Sequence, residues 1–206
     1  MSQAFAIGVT GHRLAKLNPG GLTQIRAALR QAFERAAARL EPRHMECVTS
    51  IAEGADTMAA EEALDLGWRL ITPLPFPAED YVRDFPQGVR RRTFMRLLAQ
   101  ADEAPICTGG RQTLADEAEG YRAASHAMLD RVQALIAVWN GENTELIGGT
   151  FDTLIEGLRR GLPVLWIPAS GAGFPIALGR HHVAALEANA TLVDAAGEAE
   201  FLAALL

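Results

Sequence analysis

The chain has 206 residues, 49% of them hydrophobic, a formal net charge of −6 at pH 7 and a sequence pI near 5.4. That length suits one large domain, and the acidic balance leaves no electrostatic footprint for general nucleic-acid binding. Two cysteines, Cys47 and Cys107, sit in apolar runs without metal or redox spacing and read as reduced residues of a cytoplasmic protein. No signal peptide is visible, and no run approaches the roughly 20 apolar residues a membrane helix needs, so no membrane partner is expected.

In chain order, residues 4–10 are predicted as an apolar strand leading into Gly11-His12-Arg13. Pro19 opens a helix in which Leu22, Ile25, Leu29, Ala32, Phe33, Ala36 and Leu40 form one stripe. A second strand, 45–51, runs into Ala52-Glu53-Gly54-Ala55-Asp56, followed by a helix over 57–66 and a third strand over 68–74. This rhythm predicts right-handed parallel crossovers and a three-layer α/β/α fold with a mostly parallel, doubly wound sheet.

Residues 75–87 break the rhythm. Pro75, Pro77 and Pro86 argue against a regular element, so the segment is either a binding loop or lid, or an ordinary surface loop. A helix through Phe94, Leu97 and Leu98 follows, then a fourth strand over 104–108 and a helix over 116–130 whose buried side includes Tyr121, Ala124, Met128 and Leu129. Residues 135–139 form a strand ending at Trp139 and stopped by Asn140-Gly141; from Gly149 the spacing of Phe151, Leu154, Ile155 and Leu158 is helical, with Gly161 as its cap. A strand over 162–167 completes a core of about residues 4–168. Residues 169–206 form an extension, with a Gly/Pro-rich connection over 170–179, a short helix over 183–186, a strand over 190–193 and a closing helix over 198–205.

Ligands of open α/β sheets bind beyond the carboxyl ends of the strands, where strand order reverses. The loop Thr10-Gly11-His12-Arg13 and the loop ending in Gly148-Gly149-Thr150 are therefore expected to face one another across a crevice, with Ser50, Gly54, Ala55 and Asp56 beside them. Gly148, Gly149 and Thr150 open a helix directly after a strand, where orphan N–H groups and the helix dipole receive phosphate or carboxylate; the other reading is a tight turn. Arg13 offers a bidentate donor fork and His12 a ring nitrogen. Asp56 either caps the second helix or accepts a ribose or base hydrogen bond. Asp152 and Glu156 share a helix face, where a carboxylate reaches bound sugar as acid or base, or caps and solvates the helix. The histidines and cysteines lack metal-ligand spacing, so no metal is expected, and no Walker A or Gly-x-Gly-x-x-Gly motif follows the first strand.

The ordered set Gly8-Val9-Thr10-Gly11-His12-Arg13, 50–56 (Ser-Ile-Ala-Glu-Gly-Ala-Asp), Leu74-Pro75 with Tyr81 and Asp84-Phe85, 136–141 (Ile-Ala-Val-Trp-Asn-Gly) and Gly148-Gly149-Thr150 resembles the SLOG superfamily, the Rossmann-like group of LOG phosphoribohydrolases and DNA-processing A proteins. The resemblance implies a nucleotide or nucleotide-derivative pocket including Trp139 and Asp152, no separate cofactor, and self-association into homo-oligomers. It also implies one of two activities: ligand sensing, or release of the base from a nucleoside 5′-monophosphate with Glu156 as acid/base and Arg122 as the helix-borne arginine. Single-stranded DNA binding is a third, less favoured reading. The chain departs from the hydrolase motif: Ile147 stands at the proline, Thr153 is one residue further from the glycine pair, and Arg122 is out of register.

Overall fold

The computed structural model describes residues 4–40, 44–108, 110–143, 147–192 and 196–205. Gly109, residues 144–146 of the bridge after Asn140, and Val193 of the expected late strand lie outside the described residues.

Five parallel strands carry the fold: β1 (Phe5–Gly11), β2 (Met45–Val48), β3 (Arg69–Ile71), β4 (Ala134–Trp139) and β5 (Val164–Pro168). Two antiparallel strands extend the sheet, β6 (Ile176–Leu178) and β7 (Ala196–Gly197), giving the order β3-β2-β1-β4-β5-β6-β7. The chain after Pro168 thus joins the sheet and is no appendage. Strand order reverses between β1 and β4, whose register pairs Thr10 with Ala137 and Gly11 with Val138. That is the switch point the loop sequences point to.

Alternation along the strands splits the core into two layers. Ile7 and Val9 of β1, Ile136 and Val138 of β4 and Leu165 and Ile167 of β5 pack under helices α1 (Leu22–Leu40) and α2 (Ala55–Asp65). Ala6, Leu135, Ala137, Trp139 and Val164 point the other way, under helices from the second half of the chain. The α1 stripe is realised: Ile25, Leu29, Ala32, Phe33 and Ala36 are fully buried.

The segment expected to be irregular instead contains one turn of helix, α3 (Ala78–Tyr81), and a 3₁₀ turn, Val82–Asp84, before α4 (Val89–Gln100). Pro77 stands at the N-cap, where its missing N–H costs nothing, so proline starts this turn instead of forbidding it. Phe76, Tyr81 and Phe85 are buried; Tyr81 meets Phe94 edge-on at 5.5 Å, and Phe85 stacks on Phe94 at 4.3 Å. The expected fourth strand over 104–108 reduces to two isolated bridges beside β3, Ile71 to Glu103 and Leu74 to Ile106. Pro73, Pro75 and Pro105 remove the N–H groups a regular ladder needs.

Helix α5 (Leu114–Leu129) begins two residues before the expected start because Thr113 and Asp116 form a reciprocal capping box, with Asp116 N–H donating to Thr113 Oγ1 (3.1 Å) and Thr113 N–H to Asp116 Oδ2 (2.8 Å). Helix α6 (Thr150–Arg159) ends at Gly161 (φ +83°): Leu162 N–H reaches Gly157 O at 3.1 Å and Gly161 N–H reaches Leu158 O at 3.0 Å, a full Schellman motif. A short 3₁₀ turn, Arg180–His182, leads into α7 (Val183–Glu187), and α8 (Glu198–Ala203) closes the chain. No strand forms over 190–192. Among the described residues no helix is long and apolar enough to cross a membrane.

Candidate functional site

A cavity of about 330 Å³ opens at the carboxyl ends of β1 and β4, within the size range of small-molecule sites. Three loops and two helices wall it. Thr10, Gly11, His12 and Arg13 come from the end of β1, Ser50 from the β2–α2 connection, Asp56 from the first turn of α2, and Gly148, Gly149 and Thr150 from the start of α6. Tyr81 of α3 and Tyr121, Ala124, Ser125 and Met128 of α5 complete the wall, and Lys16 stands at it from the turn after β1.

The start of α6 is open. Gly149 is its N-cap, in extended backbone (φ −78°, ψ 176°), and no side chain caps the helix. The first intrahelical bond, Thr153 N–H to Gly149 O at 2.9 Å, leaves the N–H groups before it without helical acceptors. Orphan donors and the positive end of the dipole therefore meet the cavity where Thr150 lines it. Gly148 does a different job from the one its motif suggests. It has φ +69°, and a Cβ there would lie 2.6 Å from the backbone nitrogen of Arg122, so it is bare because α5 crosses against it. Asp152 faces outward and accepts the Gly148 N–H at 2.8 Å, bracing the turn from outside the cavity.

Asp56 lines the same cavity. The structure removes its capping role: the N-cap of α2 is Gly54, no side chain caps that helix, and Asp56 lies in its first turn. The residue is 7% exposed, lines the cavity, and its Oδ1 is buried with no hydrogen-bond partner among the described residues. Burial pushes its carboxyl up from an ordinary value near 3.8 to about 7, against the opposing pull of Thr49, backbone groups of Ala52 and Gly11, and the Arg13 charge. A carboxyl raised on folding favours the folded state below its unfolded pKa, and that contribution is lost as pH climbs through the folded value. Between about pH 5 and pH 8 the wild-type protein is therefore expected to lose on the order of 2–3 kcal/mol relative to Asp56→Asn, as read by urea denaturation. Parallel stability profiles for the two proteins would contradict this assignment of Asp56.

His12 is buried, and its Nε2 lies 2.7 Å from Asn140 Oδ1. Asn140 Oδ1 also accepts the Glu142 N–H, and its Nδ2 donates to the Glu142 carboxylate, so the amide orientation is fixed and His12 Nε2 must be the donor. Burial lowers the His12 pKa, with the Lys16 charge adding to it, against its hydrogen bond to Asn140 and the Glu142 charge. His12 is neutral at pH 7, with Nδ1 left as an acceptor.

Arg13 is partly committed. Its Nη2 donates to Asp84 Oδ2 at 2.8 Å and to the Tyr121 hydroxyl at 3.2 Å, while Tyr121 and Arg111 also donate to Asp84. Burial alone would raise Asp84; the bonds from Tyr121, Arg13 and Arg111 hold it below the usual carboxylate range. The 75–87 segment is thus a wall of the cavity, pinned to the β1 loop through Asp84. The Arg13 charge is balanced by it, though the side chain stays 46% exposed.

Several expected site residues serve packing instead. A Cβ on Gly54 (φ +117°) would lie 2.5 Å from His12 O, and Ala55 fills the space beside Gly11 and donates its N–H to His12 O at 3.2 Å. Trp139 is core: its Nε1 donates to Glu142 O at 2.9 Å, and its ring packs between Phe151 and Trp166. Glu156 lies outside the cavity and binds Arg160 at 2.8 Å, and Arg122, also outside it, binds Glu119 at 2.8 Å. In the other direction, Tyr121, Ser125 and Lys16 reach the cavity without a motif to announce them, and Tyr81, part of the motif set, lines it as well. Between the lining residues Ser50 and Ala52, the fully buried core residue Ile51 is β-branched at φ +49°, a backbone outlier of the kind that clusters at functional sites.

The sheet order and the position of this crevice define a Rossmann-like α/β fold with an anion-receptive cavity at its switch point. The fold is that of DNA processing protein A. The chain superposes on the Streptococcus pneumoniae protein with a TM-score of 0.55 and 18% identity, covering 97% of this chain and 61% of that one. Against DNA processing protein A from Helicobacter pylori, whose structure concerns its single-stranded DNA binding mode, the TM-score is 0.57 at 13% identity, covering 98% and 80%. The chain therefore spans about three fifths of the length of the Streptococcus protein. No protein-family model matches the sequence, and neither does any curated protein sequence.

Proposed function

We propose that the protein binds a phosphorylated small molecule of the nucleotide class in this cavity, with phosphate at the start of α6 and the remainder toward Asp56. The observation that carries the reading is the pairing of an uncapped α6 N-terminus with a buried, partnerless carboxyl oxygen in one cavity. An anion satisfies the first and a hydrogen-bonding organic group the second. Lys16, which lines the same cavity, adds positive charge to it. The motif resemblance supports nucleotide chemistry; the Helicobacter pylori fold neighbour binds single-stranded DNA, but the net charge of −6 weighs against a long nucleic-acid polymer as the partner of this chain.

The test is a thermal-shift screen of nucleoside 5′-monophosphates, cyclic nucleotides, ADP-ribose and NAD, with base release followed by chromatography in the same wells. A ligand bound only to the native state raises apparent stability by mass action, about 2.7 kcal/mol at a hundredfold excess over Kd. A shift with intact ligand is the expected result. Base release would add a hydrolytic activity to the same site, and no shift with any nucleotide would overturn the proposal. Glu156→Gln is expected to leave any shift unchanged, since that carboxylate is held by Arg160 outside the cavity.

A further inference from the structure

The cavity wall has a buried polar position that neither the protein's own hydrogen bonds nor a bound phosphate at α6 accounts for. Asp56 Oδ1 is buried in its wall and has no hydrogen-bond partner among the described residues, although Thr49 and the backbone of Ala52 and Gly11 lie close enough to favour the ionised carboxyl. An unpartnered buried polar oxygen is costly, more so if charged, and the loop that precedes α2 carries a strained residue, Ile51 at φ +49°. Such a position is kept open when something else completes it.

The chemistry of the missing partner follows from the carboxyl. As a carboxylate, Oδ1 only accepts; as a carboxylic acid, the group also donates. Burial brings the two forms close to balance near neutral pH; the charged and titratable groups that feel Asp56 are Arg13, Cys47 and Tyr81. An ammonium or guanidinium partner matches only the ionised form, and a carbonyl only the protonated one. A hydroxyl matches both, because it donates to the carboxylate and accepts from the acid.

We infer that Asp56 is a specificity-determining residue that reads a sugar hydroxyl of the ligand, so the cavity selects ribonucleotides over their deoxy counterparts. The inference rests on the nucleotide reading of the same cavity. It assigns the two ends separately: α6 takes the phosphate whatever the sugar, and Asp56 distinguishes the sugars.

Calorimetric titration of the wild-type protein with the four ribonucleoside 5′-monophosphates and their 2′-deoxy and 3′-deoxy analogues tests it. Loss of the hydroxyl that meets Asp56 is expected to weaken binding about tenfold or more, the fold-change that corresponds to a hydrogen bond to a charged group. Asp56→Ala is expected to bind ribo and deoxy forms alike, and Asp56→Asn, whose amide both donates and accepts, to restore part of the preference. The comparison of ligands on wild-type protein needs no variant to fold. Ribo and both deoxy forms binding within about twofold of one another would overturn the inference and leave the phosphate site standing. Binding of none of them would overturn both.

Discussion

Gly54→Ala is expected to destabilise the protein by about 2–6 kcal/mol, the sum of a backbone strain cost and an overpacking cost. Gly54 sits at φ +117°, ψ −124°, a conformation essentially reserved for glycine. The added methyl would lie 2.5 Å from His12 O and 2.7 Å from the backbone nitrogen of Leu14. Both are main-chain atoms, so no side chain can swing aside. The β1 loop must shift, and with it the Ala55 N–H to His12 O bond that fixes α2 against the cavity. Gly88→Ala is the control: Gly88 also has positive φ, +100°, but nothing lies within 4 Å of its Cβ position. It is expected to cost only the strain, about 1–3 kcal/mol. Equal losses for the two variants in urea denaturation would show that the contact with the β1 loop carries no weight.

Gly149→Asp separates folding from ligand binding. Gly149 already has the extended backbone of an N-cap, and aspartate is among the favoured residues there. Its carboxylate is expected to accept the free N–H groups of the first turn and to leave the fold as stable as before or a few tenths of a kcal/mol more so. The same carboxylate then occupies the anion position and repels what should dock there. Affinity for a nucleoside monophosphate is expected to fall at least a hundredfold, about 2.7 kcal/mol. Binding at wild-type strength would mean that the open end of α6 is a plain turn and that phosphate, if bound at all, sits elsewhere.

Much of this fold was legible because its signals are local. The apolar runs at 4–10, 45–51 and 135–139 and the stripe of α1 report burial through spacing alone, and the Gly161 cap through residue type. The misses share a cause: they depend on what lies far away in sequence. β6 is three residues inside a Gly/Pro-rich stretch, and only its pairing with Val164–Trp166 makes it a strand. The helical turn at Ala78–Tyr81 is held by Phe94, sixteen residues past its start.

The cavity shows the same division. Its position followed from strand order, and the β1 loop, Ser50, Asp56 and the start of α6 do line it. Glycines were the weak point, because a missing side chain looks alike whether it makes room for a ligand or for the chain itself. Gly11 makes way for Ala55 and Val138, Gly54 for the His12 carbonyl, and Gly148 for the backbone of α5. Tyr121 was hidden for the opposite reason: on the buried side of α5 it read as core, and only the packing of α5 beside Gly148 brings it, with Ser125, to the cavity wall.

The central claim is that phosphate, held at the start of α6, anchors the ligand. Calorimetry with each nucleoside 5′-monophosphate beside its unphosphorylated nucleoside, on the same wild-type preparation, tests it most directly. At least a tenfold advantage for the phosphorylated form, about 1.4 kcal/mol or more, is expected, shrinking as salt is raised. Equal affinity for nucleotide and nucleoside would contradict it.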